Sequence, residues 1–286
     1  MSILVLGASG MLGHAVHRVL HDAGLDVVGS IRGARPARAP ARLRYVESGD
    51  LVEVAELRRI LAETRPSVVV NAAGLIKQHE AAADHDALFA INAVMPQRLG
   101  FVAREAGARV LHFSTDCVFA GTRGDYREED VPDAGDAYGL SKFLGELTAE
   151  HCLTLRTSII GRGLVPNASL VDWLLSRSGD VRGFTRAVFS GLPTNEIGAL
   201  LVRILPAMSR GLHGLYHLSA DPIDKCALLT LVAQRWQRAD LRIVPDESLR
   251  IDRSLDSTRL RREWGIVPDP WDRLIDRMYR FYETET

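Results

Sequence analysis

The sequence predicts an α/β protein: a doubly wound parallel sheet with a smaller mixed α/β C-terminal lobe. Three observations carry this. Short apolar runs alternate with amphipathic stretches through the first 160 of 286 residues, the pattern of strands each followed by a covering helix. The first apolar run stops on a glycine-rich turn, Gly7-Ala8-Ser9-Gly10-Met11-Leu12-Gly13. After Gly161 the alternation gives way to helical stretches with few strand candidates, so the expected division is 1–160 and 161–286, the second part partly woven into the first.

In chain order, residues 3–6, 26–30, 43–46, 67–71, 108–113 and 152–157 read as buried strands, being short and mostly apolar. Helical periodicity falls near 11–23, 51–64, 85–106 and 137–150. The Ala-, Arg- and Pro-rich stretch from Gly33 to Arg42 reads as a surface loop. In the second half, helices are expected near 169–178, 194–208, 223–238, 256–263 and 270–283, with strands at 214–218 and 241–244. The four tryptophans, Trp173, Trp236, Trp264 and Trp271, fall in these helical patterns and read as core, Trp173 alternatively as a pocket wall.

Lys and Arg number 35 against 36 for Asp and Glu. A net charge of -1 offers no general attraction to nucleic acid or an anionic membrane, so any anion site must be local. Cys117, Cys152 and Cys226 are far apart in sequence, which argues against a disulfide framework or zinc site and for a reducing compartment. No stretch approaches the ~18 apolar residues of a membrane span. The cytoplasm is the expected location, and a homodimer is left open.

A glycine loop between a strand and a helix suits a dinucleotide. One glycine makes the turn, one lets the backbone approach the pyrophosphate, and one allows close helix–strand packing. The helix N-terminus adds free N–H groups and the positive dipole end. Gly7, Ser9, Gly10, Met11 and Leu12 are the expected contacts. Downstream, Gly29-Ser30-Ile31-Arg32 carries no carboxylate to bind a ribose hydroxyl. Arg32, aided by Arg35, instead suits a 2′-phosphate, which favours NADPH while leaving NADH open. Asp50 and Leu51 are candidates for the adenine, and an N-cap role is the plainer reading for Asp50.

Tyr138 and Lys142 stand four apart, one turn along one helical face. A phenol with a reference pKa near 10 needs a nearby positive charge to exchange protons at neutral pH, and Lys142 supplies one. Upstream, the fifth strand ends on Ser114-Thr115-Asp116, at the sheet edge where ligands bind. There the Thr115 hydroxyl can meet a substrate carbonyl.

Together these residues resemble the extended short-chain dehydrogenase/reductase superfamily, with its Rossmann fold, over nearly the whole chain: the glycine loop, Asp50-Leu51, Asn71-Ala72-Ala73-Gly74, Asn92, Ser114-Thr115 and Tyr138-x-x-x-Lys142. More narrowly, the chain resembles the dTDP-4-dehydrorhamnose reductase family of nucleotide-sugar 4-ketoreductases. That likeness rests on the stretches 114–119, 138–146, 155–158, 191–194, 214–218 and 253–256. The resemblance implies NADPH-dependent reduction of the 4-keto group of a nucleotide-linked 6-deoxyhexulose. Tyr138 would donate the proton, Thr115 polarise the carbonyl, and Lys142 bind the nicotinamide ribose and tune Tyr138. Ala72, Ala73 and Gly74 would border the cofactor, and Asn92 would brace the central helix. Cys117 stands where the family often has Tyr, and Leu75–His79 also departs from it. Lys77, Gln78, Cys117, Pro193 and Arg253 are the residues expected to meet the substrate. Two other readings stay open: an epimerase or bifunctional epimerase/reductase, and a non-catalytic NADP-binding regulatory subunit like the β subunit of methionine adenosyltransferase.

No metal site is expected. His79, Glu80, Asp84, His85 and Asp86 read as a solvated loop, and His14, His17 and His21 as surface histidines on the exposed face of the first helix.

Overall fold

A computed structural model describes residues 1–37, 39–76, 84–164 and 169–283. The first half runs β1 (Ser2–Leu6), α1 (Met11–Asp22), β2 (Asp26–Ile31), β3 (Tyr45–Glu47), α2 (Val54–Thr64) and β4 (Val68–Asn71). It continues through α3 (His85–Phe89), a π-turn over Ala90–Val94, α4 (Met95–Glu105), β5 (Arg109–Thr115), a 3₁₀ turn over Asp116–Val118, α5 (Ala137–Leu144) and β6 (Cys152–Thr157).

The second half contains β7 (Ile159–Ile160), α6 (Leu170–Leu175), β8 (Gly179–Phe184), β9 (Ala187–Phe189), β10 (Leu192–Pro193), α7 (Thr194–Ser209) and β11 (Gly214–His217). It ends with β12 (Ile223–Asp224), α8 (Lys225–Arg235), β13 (Leu241–Asp246), β14 (Ile251–Asp252), α9 (Thr258–Trp264) and α10 (Trp271–Glu283).

Seven strands form one parallel sheet in the order β11-β6-β5-β4-β1-β2-β3. Alternation along β1 shows why both faces are covered. Ile3 and Val5 join the core with α1 and α7, whereas Leu4 and Leu6 join the opposite core with α2 and α4. The order in which strands are added reverses between β1 and β4, so a crevice opens at their carboxyl ends, where doubly wound sheets take their ligands. β11, from the second half, extends the sheet beside β6.

Four features differ from the sequence expectations. The helix expected over 137–150 stops at Leu144. The helix expected from 51 begins at Val54 with Glu53 at its N-cap, so Asp50 is not the cap. Its carboxylate closes a turn by accepting from Val52 N at 2.9 Å. Strands not foreseen in the second half build a three-stranded sheet β12-β9-β14, and another, β8, pairs with the expected strand β13. Finally, His14 and His17 are buried rather than at the surface. α7 packs over α1, where Gly198 lets it approach so closely that a β-carbon would lie 2.8 Å from Val19 Cβ. Arg18 reaches from α1 to α10, donating to Phe281 O at 2.9 Å and sitting 3.9 Å over its ring.

Candidate active site

The glycine loop leaves β1 at the crevice. Gly7 has φ +76°, and a β-carbon there would lie 2.8 Å from Ala73 Cα on the loop after β4. The loop therefore threads a gap that only glycine fits. A β-carbon on Gly13 would run into the Gly7 carbonyl, which seats α1 against the turn. Among the described residues, no side chain caps α1 at Gly10. Its first N–H groups thus face the crevice beside exposed Ser9 and Gly10, a cradle that fits a pyrophosphate.

Around this loop, Leu51 is buried and Asp50 exposed, Ala72 and Ala73 are half-buried, and Gly74 is exposed. Arg32 is exposed just past the end of β2. Arg35, also exposed, donates to Pro40 O and to Ala39 O (3.4 Å) of its own loop.

Thr115, Tyr138 and Lys142 come together at the end of β5. Asp136 caps α5 by accepting from Gly139 N at 2.8 Å. Gly139 lies directly against the Cys117 main chain, which sets α5 on the 3₁₀ turn and Tyr138 against Thr115. The two hydroxyls are hydrogen-bonded. Burial raises the Tyr138 pKa above the ordinary phenol value, with the Thr115 contact opposing the shift. Lys142 is buried, and its ammonium donates to Phe113 O at 2.6 Å. Burial lowers its pKa to about 8. The favourable contact to Tyr138 thus comes from Thr115, while Lys142 is held on the strand carbonyl.

Asn92 ties the crevice to α5. Its side chain accepts from Leu75 N and donates to Leu75 O, both at 2.9 Å, and donates to Ser141 Oγ at 3.1 Å. A β-carbon on Gly74 would lie 3.1 Å from Asn92 Oδ1 and 3.9 Å from Lys142 Nζ. The loop after β4 therefore borders Lys142. Asn71 is joined to buried His112 at 3.0 Å.

Of the residues expected to meet substrate, Arg253 approaches the 3₁₀ turn, donating to Phe119 O at 2.7 Å and Cys117 Sγ at 3.7 Å. Pro193 is buried at the start of α7, on β10 paired with β7. Lys77 and Gln78, like His79 and Glu80, lie outside the described residues. Sequence reasoning did not single out Lys225, at the start of α8, whose ammonium lies 4.1 Å from the centre of the Phe189 ring; its one sequence signal was the N-capping Asp224 before it. Among the described residues, no group of three or more His, Cys, Asp or Glu is placed to hold a metal ion, and no helix is long and apolar enough to cross a membrane.

A protonated phenol beside a buried ammonium, facing a glycine loop across the crevice of a parallel sheet, is the equipment of an oxidoreductase of the extended short-chain dehydrogenase/reductase type. More narrowly, the chain belongs to the family described as the RmlD substrate binding domain, whose model matches residues 1–283. It is 29% identical to the probable low-salt glycan biosynthesis reductase Agl14 of Haloferax volcanii, over 77% of this chain and 75% of that protein. It is 35% identical to dTDP-4-dehydrorhamnose reductase of Burkholderia thailandensis, over 55% of this chain and only 50% of that protein. The crystal structure of dTDP-4-dehydrorhamnose reductase from Bacillus anthracis in complex with NADP superposes with a TM-score of 0.78 at 19% identity, covering 98% of this chain and 99% of that one. At that identity the likeness is one of fold.

Proposed function

We propose that this chain is an NADPH-dependent reductase of the 4-keto group of a nucleotide-linked 6-deoxyhexulose. The observation that carries the reading is the meeting of Thr115, Tyr138 and Lys142 within reach of the glycine loop. In support, the Haloferax and Burkholderia relatives are reductases by name, and the Bacillus anthracis neighbour was crystallised with NADP.

The loop of Gly7 to Leu12 would hold the pyrophosphate on the N-terminus of α1, with Leu51 and Ala72 to Gly74 lining the rest of the cofactor. Exposed Arg32, with no carboxylate beside it on β2, would pair with the 2′-phosphate. Bound there, the nicotinamide supplies a hydride to the keto carbon. Tyr138 gives its proton to the keto oxygen, and its raised pKa keeps that proton in place at neutral pH. Thr115 orients the oxygen beside the phenol. Lys142 anchors the nicotinamide ribose from its seat on Phe113 O and adds positive charge as the phenol ionises. Residues 161–286 would supply most of the sugar-nucleotide site, with Arg253 reaching towards the diphosphate.

A screen of dTDP-, UDP- and GDP-linked 4-keto-6-deoxyhexuloses with NADPH and NADH tests the reading. Consumption of reduced cofactor with one of these sugars, faster with NADPH, is expected. No consumption with any of them, despite tight cofactor binding, would overturn it in favour of a binding subunit.

A further inference from the structure

Hydrogen bonding alone fixes which way the Asn71 amide points at the end of β4. Ala73 N donates to its Oδ1 at 3.2 Å. A main-chain N–H can donate only to the oxygen of an amide, so the NH2 group faces the other way. There it meets Nδ1 of His112, in the middle of β5, at 3.0 Å. An amide NH2 only donates, so Nδ1 is the acceptor and a neutral ring carries its proton on Nε2. The ring is neutral, because burial and then the Lys142 charge hold its pKa well below the ordinary histidine value.

His112 is fully buried, and its Nε2 has no hydrogen-bond partner among the described residues. A buried donor left without an acceptor is destabilising. An aliphatic side chain like that of Val110, on the same face of β5, would therefore suit the packing better. What the histidine adds is the acceptor that faces Asn71.

The Ala73 peptide held in this way is the one that closes on the glycine loop. A β-carbon on Gly7 would lie 2.8 Å from both Ala73 N and Ala73 Cα. Gly74, the next residue, borders Lys142, with a β-carbon there 3.9 Å from Nζ. Lys142 in turn donates to Phe113 O, on the residue after His112. With no room for a side chain between the two loops, a turned Asn71 amide would release Ala73 from the turn that receives the pyrophosphate.

We propose that His112 is a positioning residue for the cofactor: its unprotonated Nδ1 fixes the Asn71 amide, and the amide fixes the Ala73 peptide against the glycine loop. This role rests on the cofactor reading above and on no particular sugar.

Fluorescence titration with NADPH, which needs no sugar, compares wild type, His112→Leu and His112→Asn, with His112→Met should the leucine variant fail to fold. Leucine removes the acceptor, whereas asparagine returns an oxygen at the place of Nδ1. The Kd is expected to rise by on the order of tenfold in the leucine or methionine variant. It should return most of the way in the asparagine variant, with kcat at saturating NADPH close to wild type throughout. Long-range ¹H–¹⁵N NMR of the wild-type ring should show a neutral imidazole protonated on Nε2. A ring protonated on Nδ1, a Kd unmoved by leucine, or a Kd raised equally by leucine and asparagine would each overturn the proposal, as would a fall in kcat with Kd unmoved. A wild-type chain that shows the Nε2–H ring but binds neither NADPH nor NADH would remove the cofactor reading, and this role for His112 with it.

Discussion

At the scale of single residues, Tyr138 shows how burial sets a chemical role. An exposed phenol loses its proton near pH 10; here burial raises that value further, and the Thr115 contact eases it. The proton is therefore present at neutral pH, available for the proposed transfer to the keto oxygen. Tyr138→Phe is expected to lower kcat by roughly 10²–10⁴-fold with the Kd for NADPH nearly unchanged, read by steady-state kinetics and cofactor titration. Undiminished kcat would remove the assigned role. The pair Tyr138 and Lys142 was legible in sequence because helical spacing alone puts i and i+4 on one face. The seat of Lys142 on the Phe113 carbonyl was not, because it depends on how close α5 approaches β5. That approach is set by Gly139 lying against the Cys117 main chain, a contact between segments twenty-odd residues apart.

At the scale of elements, α1 is the instructive case. Its start, Gly10 to Gly13 after a strand, is readable from local rules. Its outer face is not, since α7 and α10 come from the far end of the chain to cover it. Burial lowers His14 to about 4 and His17 to about 3, and both His17 ring nitrogens lack a hydrogen-bond partner among the described residues. Both rings are thus neutral in the native state. Their folded pKa values lie below the unfolded 6.5, so the unfolded chain binds protons first on acidification. Their stabilising contribution is complete above pH 6.5 and is lost as pH falls towards 4 and then 3. Each buried histidine then costs about 1.4 kcal/mol per pH unit over that window. His17→Leu should flatten the fall in unfolding free energy between pH 6.5 and 4.5 by about 2–3 kcal/mol, measured by urea denaturation at each pH. A slope identical to wild type would show that His17 is not neutral in the fold. The small strands β7, β9, β10, β12 and β14 escaped sequence reading for a different reason. Segments of two or three residues are too short to show a period of two, and their pairing joins distant parts of the chain.

For the whole molecule, the parallel sheet and its order dictate where chemistry can occur. The alternation of Ile3 and Val5 with Leu4 and Leu6 between two cores demands helices on both faces, and the reversal between β1 and β4 opens the crevice that the glycine loop enters. Five of the first six strands were legible because each is a mostly buried apolar run beside a turn signal; β3 is half-buried to exposed. The addition of β11 next to β6 shows that the second half completes the sheet that positions the site. The proposed reaction brings hydride and proton to one sugar carbonyl in this crevice. It is tested most directly by running the reaction with NADPH carrying deuterium at the transferable position of its nicotinamide and locating the label in the product by NMR. One deuterium on C4 of the 6-deoxyhexose is expected for each NADPH oxidised. Label absent from C4, or a product epimerised with solvent hydrogen while NADPH stays reduced, would contradict it.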